Sequence, residues 1–336
     1  MNAIFTVCAQ NYLPQALTMF QSCRRQNPGY RFFVGLIDRP IPEDEFSELQ
    51  TGAEIFCFEK KPFPGFRELA DRYALVELAT AVKPFVFQDL FARPERFDCI
   101  FYVDPDVYIY QPFTELEKSL QTSQMILTPH LTRPIPNDSL LPGERQIFRT
   151  GVFNLGFLGL SRGDETSAFL NWWREKCEKE CYLDLSQGLF VDQIWLNLAP
   201  AFYSQVLVER SPIYNAAHWN LHERIFENRS GVNFVNGKPL CFYHFSHFNP
   251  TSPGIIAKYH TRYSFETRPD IKPLYETYAE QLMKNGFLKW HKKPCFFAKG
   301  DFLKFIRSSL FSALRNYLPV KSKIFLGNLR SALFKK

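Results

Sequence analysis

The chain lacks the features that would send it into a membrane, through a secretory route or onto nucleic acid. Its N-terminus has no basic segment followed by a long apolar stretch, so no leader is expected. No uninterrupted apolar run is long enough to span a bilayer. A soluble or peripheral protein of the cytoplasm is therefore expected, and the sequon at 228–230 reads as chance in that setting. No CxxC spacing repeats among the eight cysteines, and several of them sit inside apolar runs. That excludes a disulfide framework or a zinc site in favour of buried, reduced thiols; Cys177 and Cys181 would share a helix face but have no second ligand pair. There is no internal repeat and no low-complexity segment. Nor is there a uniform basic character: the overall charge is +6, but residues 286–336 hold twelve Lys and Arg against Asp301 alone, so they carry +11 and residues 1–285 carry −5. A nucleic-acid binder would not be built as an acidic body with a basic end.

What the chain has is core-forming material. Its 336 residues are 46% hydrophobic and 16% aromatic, with 35 Phe and 15 Tyr, enough for one large α/β domain with an appended region or two closely joined halves. Residues 3–8 read as a buried strand, 16–25 as a helix ended by Asn27, Pro28 and Gly29, and 31–37 as a second strand ending at Asp38. Strand, helix, strand at this spacing is a βαβ unit with parallel strands. Residues 53–58 read as a third strand and 66–82 as one helix stopped near Lys83 and Pro84. The most apolar strand, 97–103, ends at Asp104. Further on, 126–130 and 151–160 are strand-like around a long Pro-, Asp- and Arg-rich loop at 132–150, and a connection of that length is usually functional. Helices are expected at 167–182 and 189–198, and a late strand at 240–245.

Asp104 and Asp106 are the first candidates for chemistry. Pro105 biases Asp104 toward extended backbone, where side chains at i and i+2 point to one side. Two such carboxylates suit a hard divalent cation. They follow a buried strand, and in open α/β sheets ligands bind beyond the carboxyl ends of strands.

The run at 100–109, IFYVDPDVYI, resembles the strand and DxD motif of GT-A glycosyltransferases, and is most similar to the branch containing glycogenin and bacterial lipopolysaccharide galactosyltransferases. Four further stretches agree in order: 5–12 with that branch's nucleotide-binding first turn, 153–157 with its Asn-x-Gly segment, Asp192 and Gln193 with its Asp-Gln pair, and 242–245 with its late His segment. The segments 219–224 (WNLHER) and 244–246 (HFS) are also similar to a bacterial glycosyltransferase group. The resemblance covers roughly residues 1–265 and implies a Rossmann-like mixed sheet flanked by helices. Residues 1–125 would form its nucleotide-sugar-binding half, 126–270 the acceptor and metal-completing half, and 271–336 a basic helical tail.

By that resemblance Asp104, Asp106 and His244 would hold Mn²⁺ or Mg²⁺, with His247 as the rival to His244. Asn11 and Tyr12 would contact base and ribose, and Thr6, Asp38, Lys83, Asn154 and Gly156 would complete the donor site. Asp192 would hold donor-sugar hydroxyls and Gln193 would lie near the reacting carbon, with retention of anomeric configuration. Trp219 is the candidate for stacking on an acceptor, since it lies in a polar stretch. The chain also departs from that branch. Cys8, Ala9 and Gln10 stand where an acid usually precedes the Asn-Tyr pair, and the Lys that follows the late His is missing, leaving Lys83, Arg145 and Arg149 as cations for the diphosphate.

The expected activity is transfer of a hexose from a nucleotide-diphosphate sugar to a glycan or lipid-linked saccharide in polysaccharide or lipopolysaccharide synthesis. A non-catalytic glycan-binding or scaffolding protein is one alternative. A sugar nucleotidyltransferase is another, although the Gly-rich basic loop used against a triphosphate is absent. Residues 301–318 place Phe302, Ile306, Leu310, Ala313, Leu314 and Tyr317 on one helical arc and Lys304, Arg307 and Arg315 on another, an arrangement suited to an anionic membrane surface on the cytoplasmic side.

Overall fold

A computed structural model of the chain describes residues 1–297. Seven strands form the central sheet: β1 (Asn2–Cys8), β2 (Arg31–Leu36), β3 (Glu54–Cys57), β4 (Cys99–Val103) and, after a short β5 (Val107–Ile109), β6 (Met125–Pro129) and β7 (Phe153–Ser161). A small hairpin, β8 (Leu183–Asp184) with β9 (Leu189–Phe190), precedes the seventh, β10 (Val206–Val208). The order is β10-β6-β7-β4-β1-β2-β3, parallel throughout except β7, which runs antiparallel to both of its neighbours. This is the mixed α/β sheet flanked by helices that the sequence led us to expect.

Its central strands are apolar without alternation because both faces are covered. From β1, Ala3, Phe5 and Val7 join a core with Phe87 and Trp173, while Ile4 and Cys8 join another with Phe20, Phe101 and Phe157. A second sheet lies at the carboxyl end of β4. Its strands are β11 (Ala216–Ala217) and, after an outer meander of β12 (Phe226–Arg229), β13 (Val232–Val235) and β14 (Lys238–Pro239), β15 (Phe242–His244), which pairs antiparallel with β5. It packs on a third core around Tyr243, Phe245, Tyr275 and Tyr278.

Several boundaries differ from expectation. The single helix at 66–82 is two, Phe66–Arg72 and Leu75–Ala81, and Lys83 and Pro84 begin a third, Lys83–Ala92. Proline starts this helix instead of stopping one because a first-turn N–H has no intrahelical partner to lose. The loop at 132–150 closes with the helix Glu144–Thr150, and 189–198 is β9 followed by a 3₁₀ turn, Gln193–Leu198. Residues 271–297, grouped with the tail by sequence, fold against the body: Tyr275 and Tyr278 of the helix Lys272–Lys284 are buried, and Trp290 packs edge-on against Phe46 at 4.8 Å. The amphipathic segment at 301–318 lies outside the described residues. Among the described residues no helix is long and apolar enough to cross a membrane. All eight cysteines are thiols, six of them buried.

Candidate active site

Asp104 is the residue after β4, and Asp106 precedes β5. The two do not lie on one extended strand; the Val107 N–H donates to the Asp104 carbonyl at 3.2 Å and folds the chain into a turn between them. The turn keeps both carboxylates on the same target. β15 lies beside β5 with His244 opposite Val107, and the Phe245 N–H donates to the Asp106 carbonyl at 2.9 Å. His244 Nε2 is 3.0 Å from Asp106 Oδ1 and 3.6 Å from Asp104 Oδ2. One ligand atom from each of the three residues lies within 4.8 Å of the others. His247 is not in this group; its backbone is left-handed, with φ 60°, which takes it off the strand.

The histidine is held in one tautomer. His244 Nδ1 is 3.2 Å from Asn154 Oδ1, an atom that also accepts the Gly156 N–H at 3.1 Å and the Asn215 amide at 3.0 Å. An oxygen there requires Nδ1 to carry a proton, so Nε2 is the nitrogen turned to the acids, where it donates to Asp106 until a cation takes the place of that proton. Gly156 is required by sterics: a Cβ would stand 2.3 Å from His244 Cε1 and 2.5 Å from Nδ1. Burial alone would lower the His244 pKa, but Asp106 and then Asp104 hold it above the ordinary value. Burial works against ionised Asp106, yet His244 holds that carboxyl below the ordinary value. The cluster thus favours positive charge. Two carboxylates and an imidazole with Nε2 turned to them fit a divalent cation.

Lys83 and Asp192 meet in a buried ion pair at 3.0 Å, with 3% and 1% of their side chains exposed. Lys83 also donates to the Leu155 carbonyl at 3.1 Å and lies 4.2 Å from the Tyr102 ring centroid. The Tyr102 hydroxyl donates to Asp104, so the pair is joined to the acid cluster. Lys83 is therefore committed to Asp192, and the expectation that it serves the diphosphate is corrected. Burial raises Asp192 to about 6 despite Lys83, and its Oδ1 is buried without a hydrogen-bond partner. Gln193 follows, with Oε1 accepting from the Leu155 N–H at 2.8 Å and Nε2 donating to the Thr150 carbonyl at 2.9 Å. Asn154 joins the two groups, its amide 3.3 Å from Gln193 Oε1. Arg145 and Arg149 are exposed on the helix whose last carbonyl Gln193 holds.

On the other side, Asn11 and Tyr12 lie in the 3₁₀ turn Gln10–Tyr12 directly after β1. The Tyr12 ring is partly exposed, and its phenol pKa is raised by burial and then by Asp106 and Asp104. Asp38 follows β2 and accepts the Gln10 N–H at 3.0 Å and the Arg39 N–H at 2.8 Å. Thr6 is fully buried within β1, so its assignment to the donor site is corrected. Trp219 is also corrected. It is 6% exposed, edge-on to His244 at 5.2 Å and to His130 at 5.2 Å, and it forms the floor of the histidine with no face to offer a sugar. The polar residues around it turn inward: Asn220 donates to the His130 carbonyl at 3.2 Å, and Glu223 accepts the Thr132 N–H at 3.1 Å and pairs with Arg224 at 2.6 Å. Tyr102, His130 and Asn215 went unrecognised from sequence. Of these only His130, at a strand end, carried a positional signal.

No family model matches the chain. Two relatives from Bacillus subtilis (strain 168) are each 24% identical to it: the uncharacterized protein YfnF over 84% of this chain and 91% of its own, and YfnD over 65% and 72%. Among solved structures it is similar to the galactosyltransferase LgtC in complex with donor and acceptor sugar analogues, at 15% identity and TM-score 0.46, over 84% of this chain and 96% of that one. It is also similar to GlyE of Streptococcus pneumoniae TIGR4, at 17% identity and TM-score 0.47, over 88% and 66%. Both are glycosyltransferases. These likenesses are distant, and the chemistry that follows stands on the residues of this chain.

Proposed function

We propose that this protein is a glycosyltransferase that takes a nucleotide-diphosphate sugar as donor and a glycan or lipid-linked saccharide as acceptor, with Mn²⁺ or Mg²⁺ held by Asp104, Asp106 and His244. The observation that carries the reading is the gathering of those three side chains within 4.8 Å at the carboxyl end of β4, with Asn154 fixing the imidazole tautomer. Such a cation, when bound, neutralises a diphosphate as it departs. The chain's own residues supply the rest. Tyr12, partly exposed, is the ring for a nucleoside attached to that diphosphate. Asp192 Oδ1, buried without a partner, is an acceptor for a donor-sugar hydroxyl. Gln193, tied to Thr150 and Leu155, holds the strand and the helix Glu144–Thr150 at one separation beside it. Arg145 and Arg149 on that helix supply charge for the diphosphate in place of Lys83. Acceptor saccharide enters from the open side of the acid cluster.

Titration calorimetry with a panel of nucleoside diphosphates tests this. Binding is expected with Mn²⁺ or Mg²⁺ and not with chelator, and Asp106→Ala is expected to abolish it. Equal affinity with and without the cation would remove the metal role and the reading with it. Incubating the protein with nucleotide sugars and simple saccharides, and following release of nucleoside diphosphate, then identifies the donor.

A further inference from the structure

Residues 295–297 lie against the turn that carries Asn11 and Tyr12, although nearly the whole chain separates them in sequence. The Cys295 thiol donates to Asn11 Oδ1 at 3.3 Å. The Phe296 N–H donates to Asp38 Oδ1 at 3.0 Å. The Arg39 guanidinium sits 4.7 Å from the Phe296 ring centroid, and Phe297, 9% exposed, anchors the segment edge-on against Phe66 at 5.1 Å. Three backbone N–H groups thus hold the Asp38 carboxylate: one oxygen takes Phe296 and Arg39, the other takes Gln10, and the Cys57 thiol reaches the Asp38 main-chain carbonyl at 3.5 Å. The short strap thus fastens both sides of the turn by polar contacts as well as by packing.

The strap also decides what Asn11 can recognise. With one lone pair of Oδ1 taken by the thiol, the side chain keeps both amide N–H donors for a ligand. Cys8, Ala9 and Gln10, which precede the pair, bring no carboxylate to it, and Asp38 is held by backbone N–H groups. The subsite therefore offers an N–H donor and an aromatic ring, which suits a nucleoside oxygen and a flat base.

We propose that the strap at 295–297 is part of the nucleoside subsite, with Cys295 and Phe296 as positioning residues that set the Asn11 amide and the Asp38 carboxylate. The proposal rests on the nucleotide-sugar reading. It predicts that the strap acts on the nucleoside half of the donor and leaves the diphosphate half alone, because the contacts that fasten it run to Asn11, Asp38, Arg39 and Phe66.

The test uses the full-length protein with Mn²⁺ and compares UDP, GDP, CDP and ADP with inorganic diphosphate by titration calorimetry. Cys295→Ala, which removes the thiol donor to Asn11, and Phe296→Pro, which removes the N–H that Asp38 accepts, are expected to weaken whichever nucleoside diphosphate binds by about 5- to 10-fold, the effect of one lost hydrogen bond. Inorganic diphosphate should change by less than about twofold, and Cys295→Ser, whose hydroxyl replaces the thiol as donor, should bind like the parent. Nucleoside diphosphate and inorganic diphosphate weakening in step, or neither changing, would overturn the proposal while leaving the transferase reading in place. A parent protein that binds no nucleoside diphosphate more tightly than inorganic diphosphate would overturn both.

Discussion

Replacing Gly156 with alanine puts a single methyl group against His244. The new Cβ would stand 2.3 Å from Cε1 and 2.5 Å from Nδ1, where ordinary contact begins at 3.4 Å, so about 1 Å of movement is needed. β7 cannot supply it. The Gly156 carbonyl accepts the Asp104 N–H at 2.8 Å, and the neighbouring residue Phe157 is in register with Val103, so retreat would drag Asp104 along. The imidazole must move instead, away from Asp106 Oδ1 at 3.0 Å and from Asn154 Oδ1 at 3.2 Å. Overpacking of this kind costs about 1–3 kcal/mol of stability, and disturbing the partner that orients a metal-binding histidine lowers cation affinity about 10–100-fold. Mn²⁺ titration of Gly156→Ala, beside a urea melt of the metal-free protein, measures both effects. His244→Ala supplies the control: with the ring gone only Asn154 Oδ1, 2.8 Å from the methyl group, still crowds it, so the double variant should be little weaker than His244→Ala alone. Additive losses, or unchanged Mn²⁺ affinity in Gly156→Ala, would refute this account of the glycine.

Three other outcomes are expected. Lys83→Met leaves Asp192 buried without its counter-charge and should cost about 3–5 kcal/mol in urea denaturation at pH 7, with part regained in the Lys83→Met, Asp192→Asn double variant; a loss under 1 kcal/mol would mean the pair is solvated. Trp219→Ala should lower stability by about 3–5 kcal/mol as a core truncation, whereas a sugar platform would change acceptor KM at an unchanged melting temperature. Burial holds the His130 and His260 pKa values down to about 4 and His218 well below the ordinary value, so unfolding takes up three protons as pH falls below about 6.5. Burial also raises Asp192 to about 6, so that carboxyl is protonated when folded and ionised when unfolded, which offsets one of the three. The net of two protons makes stability fall by about 2.7 kcal/mol per pH unit between pH 6 and 4 in metal-free buffer, read from urea midpoints; a flat or rising profile would contradict the burial argument.

The parts of the fold that sequence revealed were those written in local patterns. β1, β2 and β4 are apolar runs with a helix or a turn at each end, and the acids after β4 stood out for that reason. Pairings between distant residues left no local trace. Lys83 looked like a spare cation at a helix boundary because Asp192, its partner, is far along the chain. Trp219 looked exposed because Asn220, Glu223 and Arg224 surround it, yet these polar groups are buried with their bonds made inside. A polar stretch can line a core when its hydrogen bonds are satisfied there. His244 was the expected ligand with His247 as its rival, and the left-handed backbone at His247, which separates them, follows from tertiary context. Thr6 was carried along by its neighbours, although alternation within β1 turns it to the covered face it shares with Ile4 and Cys8.

The strap at 295–297 affects how this protein comes off the ribosome. Asn11, Tyr12 and Asp38 are made early, but the contacts that secure Asn11 and Asp38 arrive only once residue 297 has been synthesised. A nascent chain that has completed the acid cluster and even β15 still lacks them. A chain cut at Pro269 would lose the buried Tyr275 and Tyr278 along with the strap. Nucleoside binding should emerge late in synthesis, after the two acids and the histidine have already come together.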